Sequence, residues 1–354
     1  MAASVGLAVP GAAQPNGEVP QATRVALLTG AGSINETDVR YQVSGTDLGI
    51  MWNDKRGQVL LAFGDTFGTG WTGSDPVSGS PTELDWRSNT LARSSDHDPS
   101  DGLSFYDFIT DYPGHAKELV PSLKQDHVEM TTIPTGGVNI SGRNYMAYMS
   151  VRHYGPGAGQ WTTNYSAIAY SDDDGQTWVQ APGTRRLNTP DFDDHFQMIA
   201  YAQQDRFVYA FGTSNGRFGS AYLARVPEQK LLDQAAYEYW SDSGWKRGDS
   251  VIAAPIVPGP VGELSICFNE TLHRWMMMYL DESRAAIVVR LAPQPAGPWS
   301  PPITVATAEK YPTLYGGFFH PASNSTEIYF TMTQPVQCRA DAGRTATRRA
   351  EGRA

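Results

Sequence analysis

The chain has 354 residues, enough for a large core, and its 27 Lys and Arg against 37 Asp and Glu leave a net charge of −10. That balance repels phosphate backbones and anionic lipid surfaces, which excludes nucleic acid as an expected partner. Nine Trp, 17 Tyr, 13 Phe, 35 Gly and 24 Pro beside only 18% charged residues suit many short strands joined by turns, not helices.

In chain order, Ala2 to Ala13 are small and apolar with an Ala-x-Ala-like end. Residues 1–23 therefore read as a leader or the remnant of a signal sequence, without fixed structure, and the protein as secreted or cell-envelope associated. A strand, turn, strand pattern then recurs five times. The first runs from Asp47 to Trp52, turns through Asn53, Asp54 and Gly57, and returns from Leu60 to Phe63. The second turns at Ser141 and Gly142, the third at Gln204 and Asp205, the fourth at Asn269 and Glu270, and the fifth at Asn324 and Ser325. A further short apolar run follows four of them: Asn89 to Arg93, Tyr165 to Ser171, Ser220 to Val226 and Ala285 to Leu291. Small antiparallel sheets repeated without a βαβ rhythm predict an all-β, five-bladed β-propeller over 24–334, with a β-sandwich as the alternative. The helical candidate is Glu228 to Tyr237. After Gln334 the chain becomes Ala/Arg-rich, and 335–354 read as a disordered tail, so the last blade is expected to close with N-terminal residues around Arg24 to Leu28.

The run from Ser171 through Asp173 and Gly175 to Trp178 fits the Asp-box pattern, a tight turn between outer strands of a blade, and is assigned to structure. No uninterrupted apolar run spans a bilayer, so no membrane insertion is expected. Cys267 and Cys338 are too few for a zinc cluster or a disulfide scaffold. His-Glu-x-x-His, Gly-x-Ser-x-Gly and phosphate-cradling patterns are absent from the sequence. A monomer that uses neither cofactor nor metal is the expectation.

Asp47 and Asp65 each stand nine positions from Arg56 at the first turn. A regular antiparallel register sets such residues face to face with Cβ atoms about 4.5 to 5.5 Å apart, and a bulge would blur that pairing. Two carboxylates so placed push their pKa values apart, leaving one acid and one base or nucleophile, which is the pair glycoside hydrolysis needs. Turn capping by each Asp is the alternative. Around the same mouth the other open hairpin ends bring Arg152 and His153, His195, Glu263, Asp281 and Glu282. Trp86, Arg87 and Asn89 precede a strand and are candidates to stack on and hydrogen-bond a sugar, as is Trp161 with Tyr154 on the Gly/Pro-rich loop. Packing between blades is their alternative role.

Five runs, Thr46 to Gly49, Gly64 to Gly68, Trp86 to Asn89, Ile133 to Gly137 and Gly216 to Gly219, together resemble the DUF4185 family. This is glycoside hydrolase family 183, the actinobacterial endo-D-arabinofuranases that act on mycobacterial arabinogalactan and lipoarabinomannan. The resemblance covers roughly Arg40 to Thr333. It implies a five-bladed propeller, an arabinan polysaccharide as substrate, and Asp47 and Asp65 as the catalytic pair; Arg217, within the last of these runs, is a further substrate-binding candidate. A non-catalytic carbohydrate-binding propeller and a sialidase-like enzyme stay open beside it. The latter would need an arginine cluster, for which Arg87, Arg152 and Arg217 are the candidates.

Overall fold

The computed structural model describes residues 2–8, 22–54, 56–71, 73, 84–323 and 327–334, the first of these segments as backbone alone. Turn chemistry sets the hairpins. Ser141 and Gly142 both take positive φ (53° and 89°), as do Asp205 and Arg206 (51° and 65°), so each closes a two-residue loop whose twist matches its strands. The third turn therefore lies one residue beyond its expected place.

The strands assemble into an all-β propeller. The first blade holds Gly45–Asn53, Val59–Phe67, Thr90–Ser94 and Asp107–Phe108, with Trp86–Arg87 pairing on the second of these strands. The second blade is Thr131–Ile140, Arg143–Tyr154, Trp161–Ser171 and Val179–Leu187. The third runs from Met198–Gln204 through Phe207–Thr213, Tyr222–Pro227 and Glu238–Ser241 to Gly244–Arg247. The fourth is Leu264–Asn269, Arg274–Asp281, Ala286–Ala292 and Ile303–Thr307. These four blades are made of consecutive strands, which corrects the expected count of five. The fifth hairpin, Tyr315–Phe319 with Glu327–Thr333, lacks outer strands of its own. Its sheet is completed by Ala2–Ala8 and Thr23–Leu27 from the start of the chain, so it closes the ring as a composite.

Strand Ala2–Ala8 falls within the stretch read from sequence as a leader. The expected turn at Asn324 and Ser325 and the tail 335–354 lie outside the described residues. The helical candidate is corrected: Glu228–Lys230 and Gln234–Ala236 are separate 3-10 turns, because Asp233 caps the second of them and interrupts the run. Among the described residues no helix is long and apolar enough to cross a membrane.

Apolar faces of neighbouring sheets meet in pairs. Trp52, Leu60, Met146 and Tyr148 pack between the first and second blades, and Phe211, Trp275, Met277 and Tyr279 between the third and fourth. The Asp box acts as its pattern requires. Ser171 Oγ accepts from Gly175 N at 2.9 Å, Asp173 from Thr177 N at 2.9 Å, and Trp178 Nε1 donates to Gly175 O at 2.9 Å.

His320 follows the last inner strand and is only 2% exposed. Its Nδ1 accepts from Ala322 N at 3.1 Å, and burial lowers its pKa from 6.5 to about 4, with Asp96 opposing and His97 assisting. The unfolded chain therefore binds more protons between these values, so stability held above pH 6.5 is lost as pH falls towards 4. The difference corresponds to about 3 kcal/mol. Urea unfolding at pH 7 and pH 4.5 is expected to show that loss in the wild type and a smaller one in His320→Gln.

Candidate active site

The first strand of each sheet packs against the first strand of the next, and Tyr315–Phe319 packs back onto Gly45–Asn53. Their ends open into a cavity of about 870 Å³ that includes Asp47, Asp65, Pro134, Ile199, Glu263 and Tyr315 in its lining. The floor is apolar: Leu48, Ile133, Met149, Met198 and Phe318 form one cluster across the axis.

The opening hairpin keeps the register centred on Arg56 from Asn53↔Val59 to Ile50↔Ala62, and recovers it at Thr46↔Thr66. Between these, two irregularities pair Leu48 with Phe63, so the expected strict opposition of Asp47 and Asp65 is corrected to a bulged one. Leu48 and Gly49 have positive φ (67° and 96°), the local distortion that re-aims side chains near sites. Thr333 Oγ1 anchors the bulge by accepting from Leu48 N at 2.7 Å. Both aspartates stay half-buried on the cavity wall.

Asp65 accepts from Trp86 Nε1 at 2.8 Å, Thr131 Oγ1 at 2.5 Å and Tyr154 Oη at 3.2 Å. Asp47 Oδ2 accepts from Tyr315 Oη at 3.0 Å. Gly64 makes room for Asp47, since a Cβ there would lie 2.2 Å from Asp47 Oδ1. Gly64→Ala is therefore expected to displace that carboxylate and lower turnover at least about tenfold. Circular dichroism and thermal melting should stay close to wild type, and unchanged turnover would contradict the placement.

Arg217 lines the same cavity. Its guanidinium binds Glu263 at 2.8 Å and Glu282 at 3.3 Å, and lies 4.6 Å from the Tyr315 ring centre and 5.7 Å from that of Trp161. Burial disfavours its charge, but Glu263, Tyr315 and Glu282 more than offset this, and its pKa is raised.

Of the residues singled out from sequence, the cavity gathers Asp47, Asp65, Trp86, His153, Tyr154, Trp161, Arg217, Glu263 and Glu282. Arg87, Asn89, Arg152, His195 and Asp281 are not among its lining. Neighbours on a strand point to opposite faces, so Trp86 and His153 reach the mouth while Arg87 and Arg152 do not. Arg87 is buried against Asp85 at 2.9 Å and donates to Ala116 O and Gln42 O. Asn89 ties together the backbone of Leu119, Val120 and Thr132. His195 stacks on Tyr222 with ring centres 3.7 Å apart, and Asp281 accepts from Ser283 in the turn that follows it. Thr131 and Asp126 were not legible as site residues, and Tyr315 is a partner of Asp47 from 268 positions away.

Fold and site together define a β-propeller with an aromatic-walled mouth that presents two aspartates. Residues 32–337 match the family described as Domain of unknown function (DUF4185), and the chain belongs to that family. Notoamide biosynthesis cluster protein J of Aspergillus sp. (strain MF297-2) is 32% identical over 327 residues, covering 85% of this chain and 82% of the relative. An uncharacterised 35.9 kDa protein of Mycolicibacterium smegmatis is 25% identical over 225 residues, covering 57% and 64%. A candidate hydrolase from Bacteroides ovatus, solved by crystallography, shares the fold with a TM-score of 0.53 at 13% identity, over 82% of this chain and 86% of that one.

Proposed function

We propose that this protein is a glycoside hydrolase of the family 183 type, an endo-D-arabinofuranase that cuts internal α-D-arabinofuranosyl linkages of mycobacterial-type arabinogalactan and lipoarabinomannan. The observation that carries the reading is the placement of Asp47 and Asp65, from one bulged hairpin, on the wall of a single cavity. Glycosidic cleavage needs one carboxyl to protonate the leaving oxygen and another to act as nucleophile or to activate water. Three donors converging on Asp65 suit a carboxylate that stays ionised. Asp47, held by Tyr315, then supplies the proton. Trp86, Trp161 and Tyr154 line the same cavity and offer apolar faces to furanose rings. Because such a substrate belongs to the cell envelope, the protein acts there or as a secreted enzyme.

A second reading rests on the apolar floor, which suits a small substrate with an apolar group. The Aspergillus relatives, named for a notoamide biosynthesis cluster, keep it in view. Incubation with mycobacterial arabinogalactan, xylan, a sialoside and an aryl arabinofuranoside separates these readings. New reducing ends on internal fragments of arabinan alone are expected. Binding without new reducing ends would replace hydrolysis by carbohydrate binding, and turnover of the aryl glycoside alone would favour the small-substrate reading.

A further inference from the structure

We propose that Asp126, His127 and His153 form a binding site for a divalent transition-metal ion of the zinc class at the rim of the cavity. The sequence suggested no metal, because the residues converge only in space. His153 ends strand Arg143–Tyr154, while Asp126 and His127 sit in a loop pinched by paired backbone bonds between Gln125 and Glu129 at 3.0 and 2.9 Å. Within that loop His127 takes a φ of 61°, and its ring lies flat on His153, with centres 4.0 Å apart and planes at 15°. His153 Nδ1 donates to Asp126 Oδ1 at 2.7 Å, and His127 Nε2 stands 3.7 Å from Asp126 Oδ2.

One donor atom from each residue falls within 4.8 Å of the other two. Two nitrogens and one carboxylate suit zinc, copper or nickel, not calcium or magnesium, which prefer all-oxygen shells. Three protein ligands leave a coordination position open. Asp126 and His153 face the cavity, and Tyr154, next in sequence, binds Asp65. A bound ion would thus present a water or a ligand hydroxyl to the same mouth.

The test uses the full chain without a histidine tag, stripped with EDTA and titrated with ZnCl2 by calorimetry and with CoCl2 by visible absorption. One equivalent of Zn²⁺ should bind, and Co²⁺ should develop the visible bands of imidazole ligation. His127→Ala and His153→Ala should each weaken binding at least about tenfold. The His127 side chain is 66% exposed, so its loss leaves the fold intact. Absence of Co²⁺ bands in the wild type, or equal binding by wild type and both variants, would overturn the site. Neither result depends on glycosidase activity.

Discussion

Asp65→Asn and Asp47→Asn are each expected to lower the release of reducing ends from arabinan on the order of 10³-fold, the scale of a lost acid, base or nucleophile. Asn keeps the size of Asp but neither ionises nor carries an acidic proton. The loss should fall on kcat with KM nearly unchanged, because the missing interaction belongs to the transition state. Folding should be little affected, since both side chains are half-buried on the cavity wall and neither forms part of an inter-blade core. Tyr315→Phe removes a donor to Asp47 Oδ2 and should produce a smaller fall of the same kind. Retention of more than half the wild-type rate by either Asn variant would remove that residue from the chemistry.

Asn89→Ala is expected to cost about 3 kcal/mol or more of stability, by the usual penalty for stranded buried groups. The amide is fully buried. It donates to Val120 O at 2.8 Å and Thr132 O at 2.9 Å, and accepts from Leu119 N at 3.1 Å and Val120 N at 2.9 Å. Truncation leaves the two backbone N–H groups without an acceptor inside the protein. Thr132 Oγ1 still serves Val120 O at 2.5 Å, which limits the damage on that side. Chemical denaturation should show a lower midpoint with an unchanged slope, and activity per folded molecule should match wild type. A variant of normal stability with weakened sugar affinity would restore Asn89 as a binding residue.

The opening hairpin shows how far local pattern reaches. The count about Arg56 that sets Asp47 against Asp65 also describes the observed pairs Thr46↔Thr66 and Asn53↔Val59, although Asn53 reads from sequence as part of the turn, because strand register follows from turn position and a side-chain period of two. The same count could not register the bulge at Leu48, which a hydroxyl from the far end of the chain helps to hold. Alternation separated the useful member of each neighbouring pair, Trp86 from Arg87 and His153 from Arg152, only once the inward face was known.

The sequence by itself determined the hairpins, the Asp-box turn, the all-β propeller and the two aspartates flanking one turn, since each depends on turn residues and periodicity within a few tens of positions. Closure of the last sheet by residues near Arg24 to Leu28 is also legible in the sequence; tertiary structure alone decided that Tyr315 reaches Asp47, and that Asp126, His127 and His153 meet. Closure of the ring brings Tyr315 to Asp47, and folding of a loop onto its own blade brings Asp126 and His127 to His153; no local pattern of residues carries a record of such neighbours.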